Sequence, residues 1–376
     1  MQTRRAFPNW LHWASVAAVA VGLIAWVVGF DLRETHRRAL VALLVNTLFW
    51  SGLAQALVVW AATFQMCRTR WSRAVEYLGA AGMDSVLLLL LPWAGVCLLL
   101  IQLLPWLESD MDMGDRAIWL SGEALLLRTG FGLALMAALS VAFARQQWAQ
   151  GTAPSPRRDR SVLAVAVAIA FTAVYSVLAF DFSMSLAQPW YSTLFGAYSF
   201  TGSLYAGMAG LILLAAGLRR RLRMEAHLGP RQWLDLGNLM LAFGMATTYM
   251  LFSQLIVIWY GNMPHETSFL RLRLDPPWFA LSWTVLIAAY LGPFLLLLPN
   301  FVRRNPQPLC VVAVIVIAAM WLERYWQIAP SLLHDGVHIG PLEVLTTVGF
   351  AGLFLTGIRR FVAFYPFEAP PDGDGA

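Results

Sequence analysis

The sequence contains no lysine, only three cysteines and six histidines, and charged residues make up just 12% of it. Each shortage excludes a class of protein. A soluble domain carries roughly 25% charged residues, so a chain with 12% charged and 59% hydrophobic residues is not a water-soluble globule. Cys67, Cys97 and Cys310 stand singly, with no C-x-x-C or C-x-x-C-H, which excludes iron–sulfur ligation and covalent haem attachment by this chain. His12, His36, His227, His265, His334 and His338 fall in loops or at the ends of apolar runs. A buried membrane haem needs its axial histidines inside helices. No strand-like run leads into a phosphate-cradling glycine turn. The expectation is that the chain binds no metal or resident cofactor of its own. The net charge of +5 is carried against 21 acids by arginine alone. Basic loops in so apolar a chain set topology, which removes nucleic acid as a partner.

What the sequence does have is length without charge. Its mean hydropathy is +0.63, and runs of about 20 apolar residues, the length that crosses a bilayer as a helix, recur ten times. They fall at 10–30, 39–64, 77–104, 118–143, 162–180, 192–218, 236–260, 278–298, 310–326 and 344–362. The fold class predicted is an all-α integral membrane protein of ten spans, one polytopic domain over 1–376. The connecting loops are too short to bury a core of their own. Residues 1–7 carry Arg4 and Arg5, but the first run is long and lacks a small-residue cleavage site, so it is expected to remain as an anchor.

Arginine counts orient the bundle. With the N-terminus in the cytoplasm, 18 arginines fall in inner segments and 6 in outer loops, Arg271 and Arg273 among the latter. Both termini are therefore predicted to be cytoplasmic, the location a bacterial inner membrane, and the acidic loop at 108–115 external.

The chain is organised around the stretch 181–213, DFSMSLAQPWYSTLFGAYSFTGSLYAGMAGLIL. Gly202, Ala206 and Gly210 repeat at helical spacing, with Ser203 and Gly207 beside them, and small residues so placed let helices approach closely in lipid. An echo lies about 150 residues earlier, where Trp50-Ser51-Gly52 precedes Ala54 and Ala56. Both helices then run into arginines. This predicts two four-helix repeats, over 38–180 and 190–328, with flanking helices at 8–30 and 344–362. Four spans per copy make the repeats parallel, unlike the inverted repeats of many transporters.

Charge inside the membrane carries the chemistry, because each such group costs about 2.5–3.5 kcal/mol on insertion scales. Arg128 lies ten residues into its run, with Glu123 five positions before it on another face, and Asp181 follows the fifth run. Glu323 and Arg324 sit in the outer third of the ninth span and Gln254 in that of the seventh. Asp84 is early in the third span, Glu76 at its mouth, and Asp235 just before the seventh. An acid near the inner face of each unit and ionisable groups in its outer half suit a proton path of two half-channels. The competing reading is a set of structural ion pairs, with Glu76 and Asp235 solvated at the interface.

These residues also carry a resemblance. The run 181–198 resembles the signature of NrfD-like quinone-interacting membrane proteins, specifically the large membrane subunits of bacterial alternative complex III. The run 234–267, LDLGNLMLAF through LFSQLIVIWYGNMPHET, resembles the seventh-helix signature of the second of those subunits, the ActF-like one. Trp71, Arg73 and Glu76, then Arg128, Pro293-Phe294 and Tyr325-Trp326 before Pro330 add to it, over about 46–360. The resemblance implies a subunit of a respiratory quinol:acceptor oxidoreductase that scaffolds the complex and contributes proton half-channels. It implies a paralogous ten-helix subunit, an iron–sulfur protein and a multihaem cytochrome c as partners, besides the bilayer. Redox cofactors would belong to those partners, and quinone is the one ligand left open for this chain. Departures fall on titratable positions: Leu234 and Ala289 or Tyr290 stand where the family has His, Asn238 where it has Lys, and Glu323 where it has Asp. Two alternatives stay open. One is a quinone-site subunit with a pocket near Glu123, Arg128 and Asp181. The other is a secondary transporter, whose mark would be paired helix breaks at corresponding places in the two units.

The arginine asymmetry makes one expected outcome concrete. With Cys67, Cys97 and Cys310 replaced, an impermeant thiol reagent added outside should label Asp112→Cys and miss Ser155→Cys. The reverse pattern would overturn the orientation.

Overall fold

The computed structural model describes residues 9–67, 73–107, 118–149, 160–333, 335–365 and 367. Arg4, Arg5, Arg68, Arg70, Trp71, Arg116, Arg157, Arg158 and His334 lie outside them, as do the acidic loop at 108–115 and the labelling positions Asp112 and Ser155. Among the described residues there is no strand, and ten helices are long and apolar enough to cross a membrane. They are Asn9–Asp31, His36–Cys67, Arg73–Leu98, Gly122–Trp148, Val162–Ala187, Leu194–Leu218, Pro230–Gly261, Phe279–Leu297, Pro306–Leu332 and Pro341–Phe364, called spans one to ten below. Lipid offers no partner for a bare N–H or C=O, so apolar runs of this length close their hydrogen bonds within the helix.

Span two is the central pillar. Its apolar window is 100% buried, whereas those of spans one and seven, at the periphery, are only 17% buried. Span six lies against it. A Cβ on Gly52 would sit 2.7 Å from Ser203 Oγ, and one on Gly207 would sit 2.5 Å from the Ala56 Cβ. The two backbones therefore approach through small residues, as lipid packing favours. The facing stripe is Ser203 and Gly207. Gly210 lies along its edge against Leu53, while Gly202 turns to Met320 of span nine and Thr247 of span seven, and Ala206 is buried. The indole of Trp60 locks the crossing by donating to the Leu204 carbonyl at 2.9 Å.

Spans one and ten form a pair of their own. Gly22 and Gly349 meet backbone to backbone, so that a Cβ on Gly22 would lie 2.4 Å from Gly349 Cα. Span ten then joins the bundle by ion pairing with span two: Arg38 Nε and Nη2 donate to Glu343 at 2.9 and 2.8 Å. Ser85 of span three donates to the Phe354 carbonyl at 2.8 Å.

Proline shapes three spans. Pro92 has no N–H to offer the turn before it, and span three is broken there into Gly82–Leu88 and Leu90–Leu98. Pro293 follows a turn in span eight that widens from α to π geometry over Leu286–Leu291, a local change that often marks functional sites. Pro330 lies inside span nine and leaves the carbonyl of Trp326, four residues earlier, without its helical donor.

The crossing of spans two and six sets a test. Gly207→Leu must push the two helices apart, and overpacking of this kind costs about 1–3 kcal/mol. Gly217→Leu is the control, because nothing lies within 4 Å of a Cβ built there. Thermal stability in detergent should fall for the first and hold for the second; equal values for both would remove the close crossing from the fold.

Candidate functional site

Four charged side chains gather at the arginine-poor end of the bundle, in two clusters that share the end of span five. In the first, Arg128 of span four meets Asp181 through two parallel hydrogen bonds, Nε to Oδ2 at 3.2 Å and Nη2 to Oδ1 at 3.0 Å. Asp181 is fully buried. Trp119 closes the pair twice over: its indole N–H donates to Asp181 Oδ1 at 3.0 Å, and its ring lies 4.1 Å under the guanidinium. Only arginine presents a planar fork that can bridge a carboxylate and stack on an indole together. Ser185, one turn on, donates to the Asp181 carbonyl at 2.5 Å and accepts from the Trp106 indole at 3.3 Å.

The second cluster is built on Glu323, which is 1% exposed. Its Oε1 accepts from the hydroxyl of Tyr198, on span six, and from the amide of Gln327, one turn along span nine. Tyr198 is in turn 2.9 Å from the hydroxyl of Tyr290, on the π turn of span eight. Arg324 cannot face Glu323 directly, since adjacent helical residues point about 100° apart. It donates to Ser199 Oγ at 2.7 Å and to Gln327 Oε1 at 2.8 Å, so one Gln327 amide serves acid and base at once. Ser183, two residues past Asp181, donates to the same Gln327 oxygen at 3.4 Å and joins the two clusters. Glu323 Oε2 and Arg324 Nε have no hydrogen-bond partner among the described residues.

A further cation lies above them. Arg273 belongs to a short helix, Pro264–Leu274, between spans seven and eight, and it is fully buried. By its place in the sequence it is an outer-loop arginine; in the fold it is a structural plug. Its Nε donates to the Trp326 carbonyl that Pro330 leaves free, at 3.3 Å, and Nη2 donates to the Gln327 carbonyl at 2.6 Å. Phe269 stacks on it at 3.7 Å. Burial pulls its guanidinium down to about 9, so it remains charged at neutral pH.

The structure leaves other sequence-named residues apart. Glu123 is exposed in the first turn of span four, away from Asp181. Gln254 is buried but donates to its own helix, at the Met250 carbonyl, at 3.4 Å. Toward the arginine-rich end, Asp84 pairs with Arg360 of span ten at 3.5 Å, and Glu76 and Asp235 are half-buried at the mouths of spans three and seven. Tyr198, Tyr290, Gln327 and Arg273 were not named as site residues. A signal existed for Gln327, which is four residues from Glu323 and so on its face.

Compared with known proteins, the chain matches no family model, and a search of curated proteins gives no match.

The Arg128 cluster generates an expected outcome. Arg128→Leu strands a buried carboxylate, a change that typically costs about 3–5 kcal/mol, and should cut the yield of folded protein on size-exclusion chromatography. Adding Asp181→Leu should restore part of that yield, because the stranded charge is gone. Wild-type yield for Arg128→Leu alone would show that the pair carries no structural weight.

Proposed function

We propose that this chain is a membrane subunit of a respiratory quinol:acceptor oxidoreductase of the alternative complex III type, without redox cofactors of its own, and that it passes protons through the Glu323 cluster. The observation that carries the reading is the Glu323–Tyr198–Tyr290 chain: a fully buried carboxyl followed by two hydroxyls in hydrogen-bond contact. A hydroxyl both gives and takes a proton, and ionisable chains inside membrane spans mark proton relays. The resemblance of 181–198 and 234–267 to NrfD-like subunits supplies the class of complex. In this reading spans two to five and six to nine are parallel repeats, both termini are cytoplasmic, and Asp84 and Asp235 stand at the cytoplasmic side of each unit. Its partners would be a paralogous ten-helix subunit, an iron–sulfur protein and a multihaem cytochrome c.

Quinone is the weaker assignment for the Arg128 cluster. Arg128 and both oxygens of Asp181 already satisfy each other, and Trp119 covers the guanidinium face. A transporter is disfavoured because the helix breaks fall in span three and span eight, the second helix of one proposed unit and the third of the other.

Two measurements test the proposal. The affinity-tagged chain, extracted from its native membrane, should bring down a multihaem cytochrome with quinol oxidation activity; a chain that emerges alone overturns the complex. Glu323→Gln keeps the shape and a hydrogen-bond acceptor but has no ionisable proton to pass on. It should leave the yield of complex unchanged and lower the protons released per quinol toward the two that quinol oxidation itself sets free. Unchanged release would remove Glu323 from any path.

A further inference from the structure

The corner between spans one and two and the segment after span nine border an open cavity of about 630 Å³, within the range of small-ligand sites. It is separate from the clusters described above: Leu332, in its wall, lies nine residues past Glu323 and so on the opposite side of span nine. Its walls are fixed by hydrogen bonds. Thr35 Oγ1 donates to the Gly29 carbonyl at 2.7 Å, and His36 Nδ1 donates to the Phe30 carbonyl at 2.6 Å. Across the cavity, the Tyr325 hydroxyl donates to the His338 carbonyl and accepts its N–H, both at 3.1 Å.

The lining is charged with both signs. Arg38 is spent on Glu343, but Arg33, Arg37, Asp31, Glu34 and Asp335 all face the same space, and none of these five is in an ion pair among the described residues. Among the described residues, Leu332 and Leu333 are its apolar lining, which does not suit a quinone ring. Two cations and three acids kept apart around one space complement a ligand that itself carries an anion and a cation a few ångströms apart. The depth narrows the ligand further. Asp31 closes span one, His36 opens span two and Leu332 closes span nine, so the cavity lies at the membrane–water boundary. Leu32, Val337 and Ile339 of the same two segments remain exposed beside it, where acyl chains would run.

We propose that this cavity binds a phosphate ester bearing an ammonium group, the headgroup of a zwitterionic phospholipid such as phosphatidylethanolamine. Arg33 and Arg37 would take the phosphate, as charge-assisted hydrogen bonds favour, and Asp31, Glu34 and Asp335 the ammonium. The lipid would then seal spans one and ten against the rest of the bundle.

Native mass spectrometry of the full chain in detergent tests this, with phosphatidylethanolamine and phosphatidylglycerol titrated in competition. The wild type should retain phosphatidylethanolamine over phosphatidylglycerol. Arg33→Ala with Arg37→Ala should lower its retention about fivefold, equivalent to about 1 kcal/mol. Asp31→Asn with Glu34→Gln should weaken the preference for phosphatidylethanolamine, because two of the three acids that would take its ammonium are gone. All four positions are exposed, so the variants should elute as the wild type does on size exclusion. Equal retention of both lipids by the wild type, or unchanged retention in the arginine variant, would overturn the site. Soluble phosphoethanolamine binding as tightly as the lipid would overturn the lipid as occupant in favour of a free zwitterion.

Discussion

The close crossing of spans two and six is the constraint on which the rest of this molecule depends. Lipid gives apolar helices no reason to associate, so contact must come from surfaces that fit. Gly52 against Ser203 and Gly207 against Ala56 supply that fit at the centre of the bundle. Span six brings Tyr198 and Ser199 with it, and these are the partners that Glu323 and Arg324 require. A bulky residue at the crossing would therefore reach the polar clusters as well as the packing. Small side chains and buried charges are two parts of one arrangement.

Proline and arginine form a second such couple. Within a membrane, a freed carbonyl is as costly as a stranded charge. Pro330 frees the Trp326 carbonyl, and Arg273 brings a buried cation that is in no ion pair among the described residues; each satisfies the other. In span eight the Ala289 carbonyl, four residues before Pro293, takes the Tyr205 hydroxyl at 3.4 Å. The helix defects at this end are filled by side chains from neighbouring spans, and that filling holds Tyr290, Gln327 and Glu323 in register.

Much of this could be read from the residues alone. Ten runs of apolar sequence became ten spans because a continuous apolar run of about 20 residues satisfies its backbone in lipid as a helix. Arg128, Asp181 and Glu323 stood out because charge in such a chain is scarce. The pairing of Arg128 with Asp181 was one of several candidates, since 53 residues separate them and only the packing of spans four and five chooses. The stripe facing span two was harder to see. Gly202, Ala206 and Gly210 run beside Ser203 and Gly207, about 100° apart on a helix surrounded by neighbours, and periodicity does not say which neighbour takes which stripe. Arg273 was hidden by its company: next to Arg271, in a polar stretch between two spans, it looks like loop charge. One carbonyl it caps is freed by Pro330, 57 positions away by residue number.

The π turn at Leu286–Leu291 carries a further consequence, in terms of descent. A turn of this kind arises when one residue is inserted into an α-helix and the ladder absorbs it locally. Everything beyond the insertion is rotated by about 100° relative to an uninterrupted helix. Span eight thus holds two reading frames, one before the turn and one after it, and Tyr290 sits where they meet. A homologous chain lacking that residue would align with a single gap here. Such a chain would present a different side chain to Tyr198, so the length of span eight, more than its composition, would record whether this contact was inherited.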